Sequence, residues 1–131
     1  MRWLRGRGGD MVEAALTFPL MALVSLALVN LALAGFASTT ANYAAGYGAR
    51  IGSVSQVDPL GHAVSAAAQI AEHGIGDYNI VATADTYPGG VVTVQVNWEV
   101  PNFYASLMPL FGAESGPLRG SAVSTFRKEG W

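Results

Sequence analysis

The sequence contains no cysteine, and charged residues make up only 12% of its 131 positions. The absence of cysteine excludes disulfide bonds, thiolate zinc sites and cysteine nucleophiles. The C-terminal part of the chain carries too few lysines and arginines for the basic patch that nucleic-acid binding requires, so we expect no nucleic-acid partner. An exported domain without disulfides must therefore be stabilised by packing, by the membrane or by neighbouring proteins.

Sequence motifs of catalysis and metal binding are also missing. The nine acids and two histidines show no HxxxH-type metal spacing, no phosphate-binding loop and no nucleophile elbow. His62 and His73 lie on one predicted helix, about 16 Å apart along its axis, which is too far for both to bind one metal ion. We therefore expect no enzymatic activity, no metal and no other cofactor, and we expect both histidines to face solvent or cap the helix.

The most prominent feature is a run of thirty-six uncharged residues, Ala14–Ala49. Its first part, Ala14–Ala37, is almost entirely apolar and exceeds the ~18 residues that suffice for a transmembrane helix candidate. At ~1.5 Å per residue this part is about 36 Å long, slightly more than the ~30 Å hydrocarbon layer. Arg2, Arg5 and Arg7 precede the run, and the charge balance after it is acidic. The positive-inside rule then predicts a single-pass membrane protein with a cytoplasmic N-terminus and an extracytoplasmic head.

A short basic leader precedes this run and ends in Gly8 and Gly9. Glu13, at the start of the run, is the fifth residue after a cut placed behind Gly8. Such a cut would create a free ammonium group one helical turn from the carboxylate. A charge within a membrane segment costs about 2.5–3.5 kcal/mol at the helix centre and less near an end, so Glu13 needs a favourable partner. The alternative is that Glu13 caps the helix start at the interface, where the helix dipole favours an acid.

Together, the basic leader, Gly8, Glu13 and the long apolar helix resemble the class III signal of type IV pilins and pseudopilins, which a prepilin peptidase cleaves after the glycine. The full-length pattern, including the small-residue stretch Tyr43–Arg50 and a late Val/Thr strand, resembles the TadE-like proteins of tight-adherence pilus systems. The resemblance implies that Gly8 precedes the scissile bond, that Gly9 becomes the new N-terminus, and that Glu13 pairs with the N-terminal ammonium of a neighbouring subunit. Asp10 departs from the pattern, since pilins usually carry an apolar residue there.

The same resemblance implies a structural role and a set of partners. The expected partners are other pilin subunits, the prepilin peptidase, the pilus assembly platform and membrane lipid. The head predicted here is larger than that of the major pilins of such systems, which implies a minor pilin or pseudopilin that is incorporated into a cell-surface pilus.

An ordinary secretory signal is the alternative for the N-terminus. Ala32, Leu33 and Ala34 form a small-residue site of the kind that is cleaved in such signals. However, a cut there would make the signal longer than the usual ~15 to 30 residues, and the uncharged helical pattern continues well past it. In this alternative the chain is a membrane-anchored or secreted binding module without enzymatic activity.

Beyond Ala37 no proline or charge interrupts the pattern before Arg50, so we expect one continuous helix to about Ile51. Small residues recur there at every fourth position, namely Ala37, Ala41, Ala45 and Ala49. Such a face would admit another helix closely, unless alanine is present only as a good helix former. Tyr43, Tyr47 and Ile51 form an apolar stripe on roughly the opposite face, and we expect this stripe to cover the head.

The remaining sequence predicts a small α+β head. Asp58-Pro59 favours a turn and the start of a short helix over His62–His73. Val91–Val100 alternates apolar and polar residues without an error, which predicts a strand with one buried face. Two further strands are predicted at Tyr78–Thr86 and Gly120–Arg127, giving an antiparallel sheet of about three strands. We divide the chain into a leader (1–8), a transmembrane helix (9–37), its extracytoplasmic continuation (38–56) and the head (57–131).

An apolar connection, Pro101–Gly112, links the last two predicted strands. Its candidate partner-binding residues are Phe103, Tyr104, Leu107, Met108 and Phe111. We expect this connection to fold over the core of the head. The alternative is that it touches a partner or the bilayer surface, because exposed apolar patches tend to mark interaction sites. TadE-like proteins resemble this stretch too, with a connection rich in proline and leucine before a final strand.

Overall fold

The computed structural model describes residues 4–129 and combines a long helix with a small head that packs against its C-terminal half. The elements are α1 (Leu4–Val54), α2 (Pro59–Ala71), β1 (Asp77–Ala84), β2 (Val91–Val100), a one-turn 3-10 helix (Met108–Phe111) and β3 (Leu118–Arg127). The side chains of residues 4–7 and of Phe111 lie outside the described part. The predicted α+β class, with a long helix, a second short helix and three antiparallel strands, is confirmed.

Helix α1 is one continuous helix of 51 residues, about 77 Å long at ~1.5 Å per residue. It already includes residues of the predicted leader, passes through Pro19 and ends at Val54, three residues beyond the predicted end. At its C-terminus the Ser55 hydroxyl donates a 2.8 Å hydrogen bond to the carbonyl oxygen of Ile51. This bond occupies one of the carbonyls that the last turn leaves without a helical partner.

Helix α2 begins where the Asp58-Pro59 pair predicted a start. Asp58 adopts a left-handed conformation (φ 51°), and its carboxylate accepts a 3.1 Å hydrogen bond from the Gly61 N–H. Pro59 occupies the first turn, where a missing N–H costs nothing. α2 then runs back along α1, since Ala63 lies beside both Gly52 and Gly48, and Ala67 lies beside Gly48.

The three strands form an antiparallel sheet in the order β1-β2-β3. Val96 of β2 lies between Ile80 of β1 and Ala122 of β3. The predicted alternation in β2 is confirmed, with buried valines at 92, 94, 96 and 100. In the turn before β2, the Asp85 carboxylate accepts a 2.9 Å hydrogen bond from the Val91 N–H. That bond, with a second from the Tyr87 hydroxyl, lowers the pKa of Asp85 from its ordinary value.

The core lies between the small-residue face of α1 and the inner face of the sheet, with α2 packed beside them. The buried cluster consists mainly of alanines from both helices and valines from β2. Ala37, Ala41, Ala45 and Ala49 are at most 1% exposed. The expectation that the tyrosine stripe covers the head is therefore wrong, since Tyr43 and Tyr47 are 69% and 44% exposed. The physical reason is the short distance between α1 and α2, since a Cβ on Gly48 would lie only 2.7 Å from the Ala63 carbonyl oxygen. Tyrosine side chains on the alanine face of α1 would hold α2 and the sheet away from it.

Strand β2 and the second half of α1 match in length. Ten residues of strand extend about 33 Å, as do about twenty-two residues of helix. β2 starts near the helix end, because Val92 packs against Gly52, and it runs toward the N-terminal end of α1. β3 returns, and the Glu129 N–H after it donates a 3.1 Å hydrogen bond to the Ser53 carbonyl oxygen. The connection between β2 and β3 therefore lies near Asn30, twenty-two residues before Gly52.

Two glycines of α1 provide a matched test of this packing. We expect Gly48→Ala to lower the free energy of unfolding by about 1–3 kcal/mol, because the new Cβ would clash with the Ala63 carbonyl oxygen and with Ala67. The same substitution at Gly46, where nothing lies within 4 Å, should raise it by up to about 1 kcal/mol through helix propensity alone. Denaturation of the full-length protein in detergent micelles measures both. Equal stabilisation by the two substitutions would contradict the packing described here.

Candidate functional site

From Met11 to Val29, helix α1 is apolar around most of its circumference, and α2 and the sheet of the head leave this part uncovered. Met11, Leu16 and Phe18 are 75%, 71% and 78% exposed, and Leu28, close to the head, is still 61% exposed. A helix that is hydrophobic on all sides is ordinarily buried in protein or in a membrane. By length and composition, the segment Gly8–Val54 can cross a bilayer.

Gly8 and Gly9, the predicted processing site, lie within α1 and are exposed. A Cβ added at either position would meet nothing within 4 Å. Each glycine in a helix interior costs about 1 kcal/mol relative to alanine, so the helix is locally weak at this pair. The peptide bond between Gly8 and Gly9 is therefore exposed, and the helix around it unwinds easily.

Glu13, the predicted subunit-pairing residue, is exposed one turn beyond Gly9, about 6 Å along the axis. Among the side chains that the structure describes, an ion pair joins Arg119 and Glu99 at 2.8 Å, and none involves Glu13. The Glu13 carboxylate therefore points away from the protein at the level of the apolar half of α1.

Unlike Glu13, the predicted helix-packing residues are not exposed. Ala37, Ala41, Ala45 and Ala49 are buried inside the chain, where the small-residue face of α1 meets α2 and the sheet. This face is therefore occupied by the chain's own head. The candidate surface for contacts with other chains is the apolar half of α1 before Asn30.

Asn30 is a buried polar side chain, 7% exposed, at the junction of the two halves of α1. Its Nδ2 donates a 2.9 Å hydrogen bond to Asn102 Oδ1, and its Oδ1 accepts a 3.1 Å bond from the Phe103 N–H. Asn102 in turn donates to the Gly116 carbonyl oxygen at 3.1 Å. The two asparagines thus tie α1 to both ends of the link between β2 and β3.

From Asn30 the apolar connection follows α1 toward its N-terminus. The Tyr104 hydroxyl donates a hydrogen bond to the carbonyl oxygen of Leu23, two turns before Asn30. The connection therefore lies along the apolar half of α1, and its described residues are absent from the buried cluster of the head. The expectation that it folds over that core is wrong, because β2 ends level with Asn30 and the chain leaves the sheet there.

The backbone of the connection is largely hydrogen-bonded within the protein. The Tyr104 N–H donates to Asn102 Oδ1 at 3.0 Å, and the Tyr104 carbonyl oxygen accepts from the N–H groups of Leu107 and Met108. A 3-10 turn follows, closed by a 3.2 Å bond from the Gly112 N–H to the Pro109 carbonyl oxygen. The segment is a folded turn structure held against α1.

Several apolar side chains of the connection remain exposed. Phe103 is 49% exposed and Leu110 is 78% exposed, whereas Tyr104, Leu107 and Met108 are partly buried. The side chain of Phe111, the fifth residue of the predicted partner patch, lies outside the described part. The described patch is therefore apolar and open on its outer side.

The role of Asn30 was not predicted from the sequence, in which it is one of the few polar residues within the apolar run. A signal was present, since polar side chains inside apolar helices are rare and need a hydrogen-bond partner. The partner could not be named, because Asn102 is seventy-two residues away in the chain.

Comparison with known proteins supports the resemblance seen in the sequence. Residues 8–50 match the family model of TadE-like proteins, which confirms that resemblance. The matched residues all belong to α1. No curated protein and no solved structure matches the chain. The match spans 43 of the 131 residues, and the head beyond residue 50 lies outside it.

The asparagine pair leads to a prediction on the connection. We expect Asn30→Leu to destabilise the docked connection by about 1–3 kcal/mol, because the Phe103 N–H and the Asn102 side chain lose their buried partner. Faster hydrogen exchange at residues 102–108 of the full-length protein in micelles would report this loss. Ser25→Ala is the control, since the Ser25 hydroxyl donates its hydrogen bond to the Met21 carbonyl oxygen of its own helix.

A double-mutant cycle with Asn30→Ala and Asn102→Ala separates the direct contact from general destabilisation. Because the two side chains share a hydrogen bond, the effect of the double substitution should be smaller than the sum of the single effects. Strict additivity would show that the asparagines do not interact.

Proposed function

We propose that this chain, whose first helix matches the TadE-like family, is a structural minor pilin or pseudopilin of a tight-adherence pilus. In this proposal α1 crosses the inner membrane with a cytoplasmic N-terminus, and the head lies on the extracytoplasmic side. The observation that carries the proposal is the apolar half of α1, which α2 and the sheet leave uncovered and on which Glu13 is exposed. The family match over residues 8–50 covers this half.

Processing is the first step of the proposed function. A prepilin peptidase hydrolyses the bond between Gly8 and Gly9, which removes the basic leader and leaves an ammonium group on Gly9. The weak helix at the two glycines and the free space around them support access to this bond. The head is unaffected, since its described contacts with α1 begin far beyond the leader.

Assembly is the second step. The exposed carboxylate of Glu13 pairs with the Gly9 ammonium of a neighbouring subunit, and the apolar halves of adjacent α1 helices pack side by side. A charge pair in a low-dielectric layer is sensitive to loss of one partner, which typically costs about 3–5 kcal/mol. The buried alanine face takes no part in this contact, because the head covers it.

A second candidate function is a binding module whose N-terminus serves only for delivery. The exposure of Phe103 and Leu110 favours it, since such side chains suit a protein partner. Cleavage after Ala34 would, however, remove Leu23 and Asn30, the two residues of α1 that hold the apolar connection. Because the connection is held through these two residues, the structure favours a mature protein that keeps the whole of α1.

Intact mass distinguishes the two candidates. We expect protein recovered from its native membrane to lack Met1–Gly8, and we expect Gly8→Val to retain them because the bulky side chain blocks the peptidase. Ala34→Val is the matched control and should leave the mass loss unchanged. A native protein that has lost all residues up to Ala34 would contradict the pilin proposal and support the secreted module.

The pairing role of Glu13 is tested by Glu13→Gln, which keeps the size of the side chain and removes its charge. The variant should insert into the membrane as before, while its co-purification with other pilin subunits falls at least about tenfold through loss of the ion pair. Asp10→Asn is the control for a general charge effect and should assemble normally. Unchanged assembly of Glu13→Gln would exclude the pairing role.

A further inference from the structure

The position of the apolar connection along α1 can be compared with the thickness of a bilayer. Asn30 lies about 26 Å from Glu13 and about 35 Å from Arg7 along the helix axis. These distances bracket the ~30 Å of hydrocarbon, so the outer boundary of a membrane crossed by α1 falls near Asn30. Leu23, which Tyr104 contacts, then lies about 10 Å inside that boundary.

The composition of the connection suits this depth. Residues 100–113 carry no charge, and the first acid after them is Glu114. Phe103 and Leu110 expose apolar surface at positions where a loop in water would ordinarily carry polar residues.

The backbone of the connection also suits lipid. Non-helical backbone is tolerated at membrane depth only when its polar groups find partners within the protein. The N–H groups of Phe103 and Tyr104 donate to the asparagine pair, and those of Leu107, Met108 and Leu110 donate to carbonyl oxygens of the connection itself. The two prolines, Pro101 and Pro109, have no N–H group. Most backbone donors of this segment are thus hydrogen-bonded within the protein, while Phe103 and Leu110 keep their apolar side chains exposed, and this combination suits contact with hydrocarbon.

We propose that the apolar connection is a second membrane contact, which inserts into the extracytoplasmic leaflet beside α1 and binds lipid acyl chains through Phe103 and Leu110. The inference rests on the proposed function in that α1 must cross the membrane. It adds that the head is held at the bilayer surface at two places, α1 and the connection. The head therefore has a fixed height above the membrane and a fixed face toward it.

The absence of cysteine allows a direct test with single-cysteine variants. Leu110→Cys, Leu20→Cys and Val57→Cys are labelled with an environment-sensitive fluorophore in the full-length protein, which is reconstituted in phosphatidylcholine vesicles. The native side chains are 78%, 61% and 80% exposed, so all three positions accept a label. Quenching by lipids with a doxyl group at a shallow or a deep acyl position then reports contact with lipid and its depth.

We expect the label at position 110 to be quenched several-fold more than the label at position 57, and more by the shallow than by the deep doxyl lipid. Position 57 lies in the turn between α1 and α2, about 36 Å beyond Asn30, and serves as the control in water. The label at position 20 should be quenched best by the deep lipid, because it lies within the span.

The remaining outcomes each overturn a defined claim. If the label at position 20 is quenched and the label at position 110 is not, the connection does not insert into the bilayer. The claim that α1 spans the membrane is then unaffected. A blue-shifted but unquenched label at position 110 would show that a second copy of the chain covers it instead of lipid. Loss of quenching at position 20 as well would remove the span, and with it both the proposed function and this inference.

Discussion

The close approach between the alanine face of α1 and the elements of the head determines the rest of the structure. Alanine and glycine let α2 come within backbone contact at Gly48 and Gly52, and they let the valines of β2 pack directly on the helix. Because this face ends near Asn30, the head covers only the second half of α1. The apolar half of α1 before Asn30, which we call the rod, is contacted by the connection but not by α2 or the sheet. The rod is therefore the part of the protein that is available to lipid or to other subunits.

Asn30 marks the boundary between these two halves. It faces the same side of α1 as the buried alanines, seven residues before Ala37, and it replaces apolar contact with hydrogen bonds to the link between β2 and β3. A buried amide left without partners is costly, so this pair specifies one position for the connection. The same contact places the apolar side chains of the connection next to the apolar half of α1.

Features set by local periodicity could be predicted from the sequence, whereas features set by distant partners could not. Val91–Val100 alternates without error, and its predicted bounds agree with the observed strand. The sequence pattern predicts the wrong face of α1 against the head, because a tyrosine stripe and an alanine stripe are both compatible with an amphipathic helix. Only the short distance to Ala63 decides between them. The roles of Gly8, Gly9 and Glu13 depend on partners outside the chain and stay predictions.

The uninterrupted course of α1 has a mechanical consequence for any array of such chains. Since rod and head share one continuous helix, the head turns whenever the rod turns about its axis. A helix repeats every ~3.6 residues, so shifting the contact between neighbouring rods by one residue moves the head about 1.5 Å and rotates it by about 100°. The direction in which each head faces is therefore encoded in the axial register of the rods.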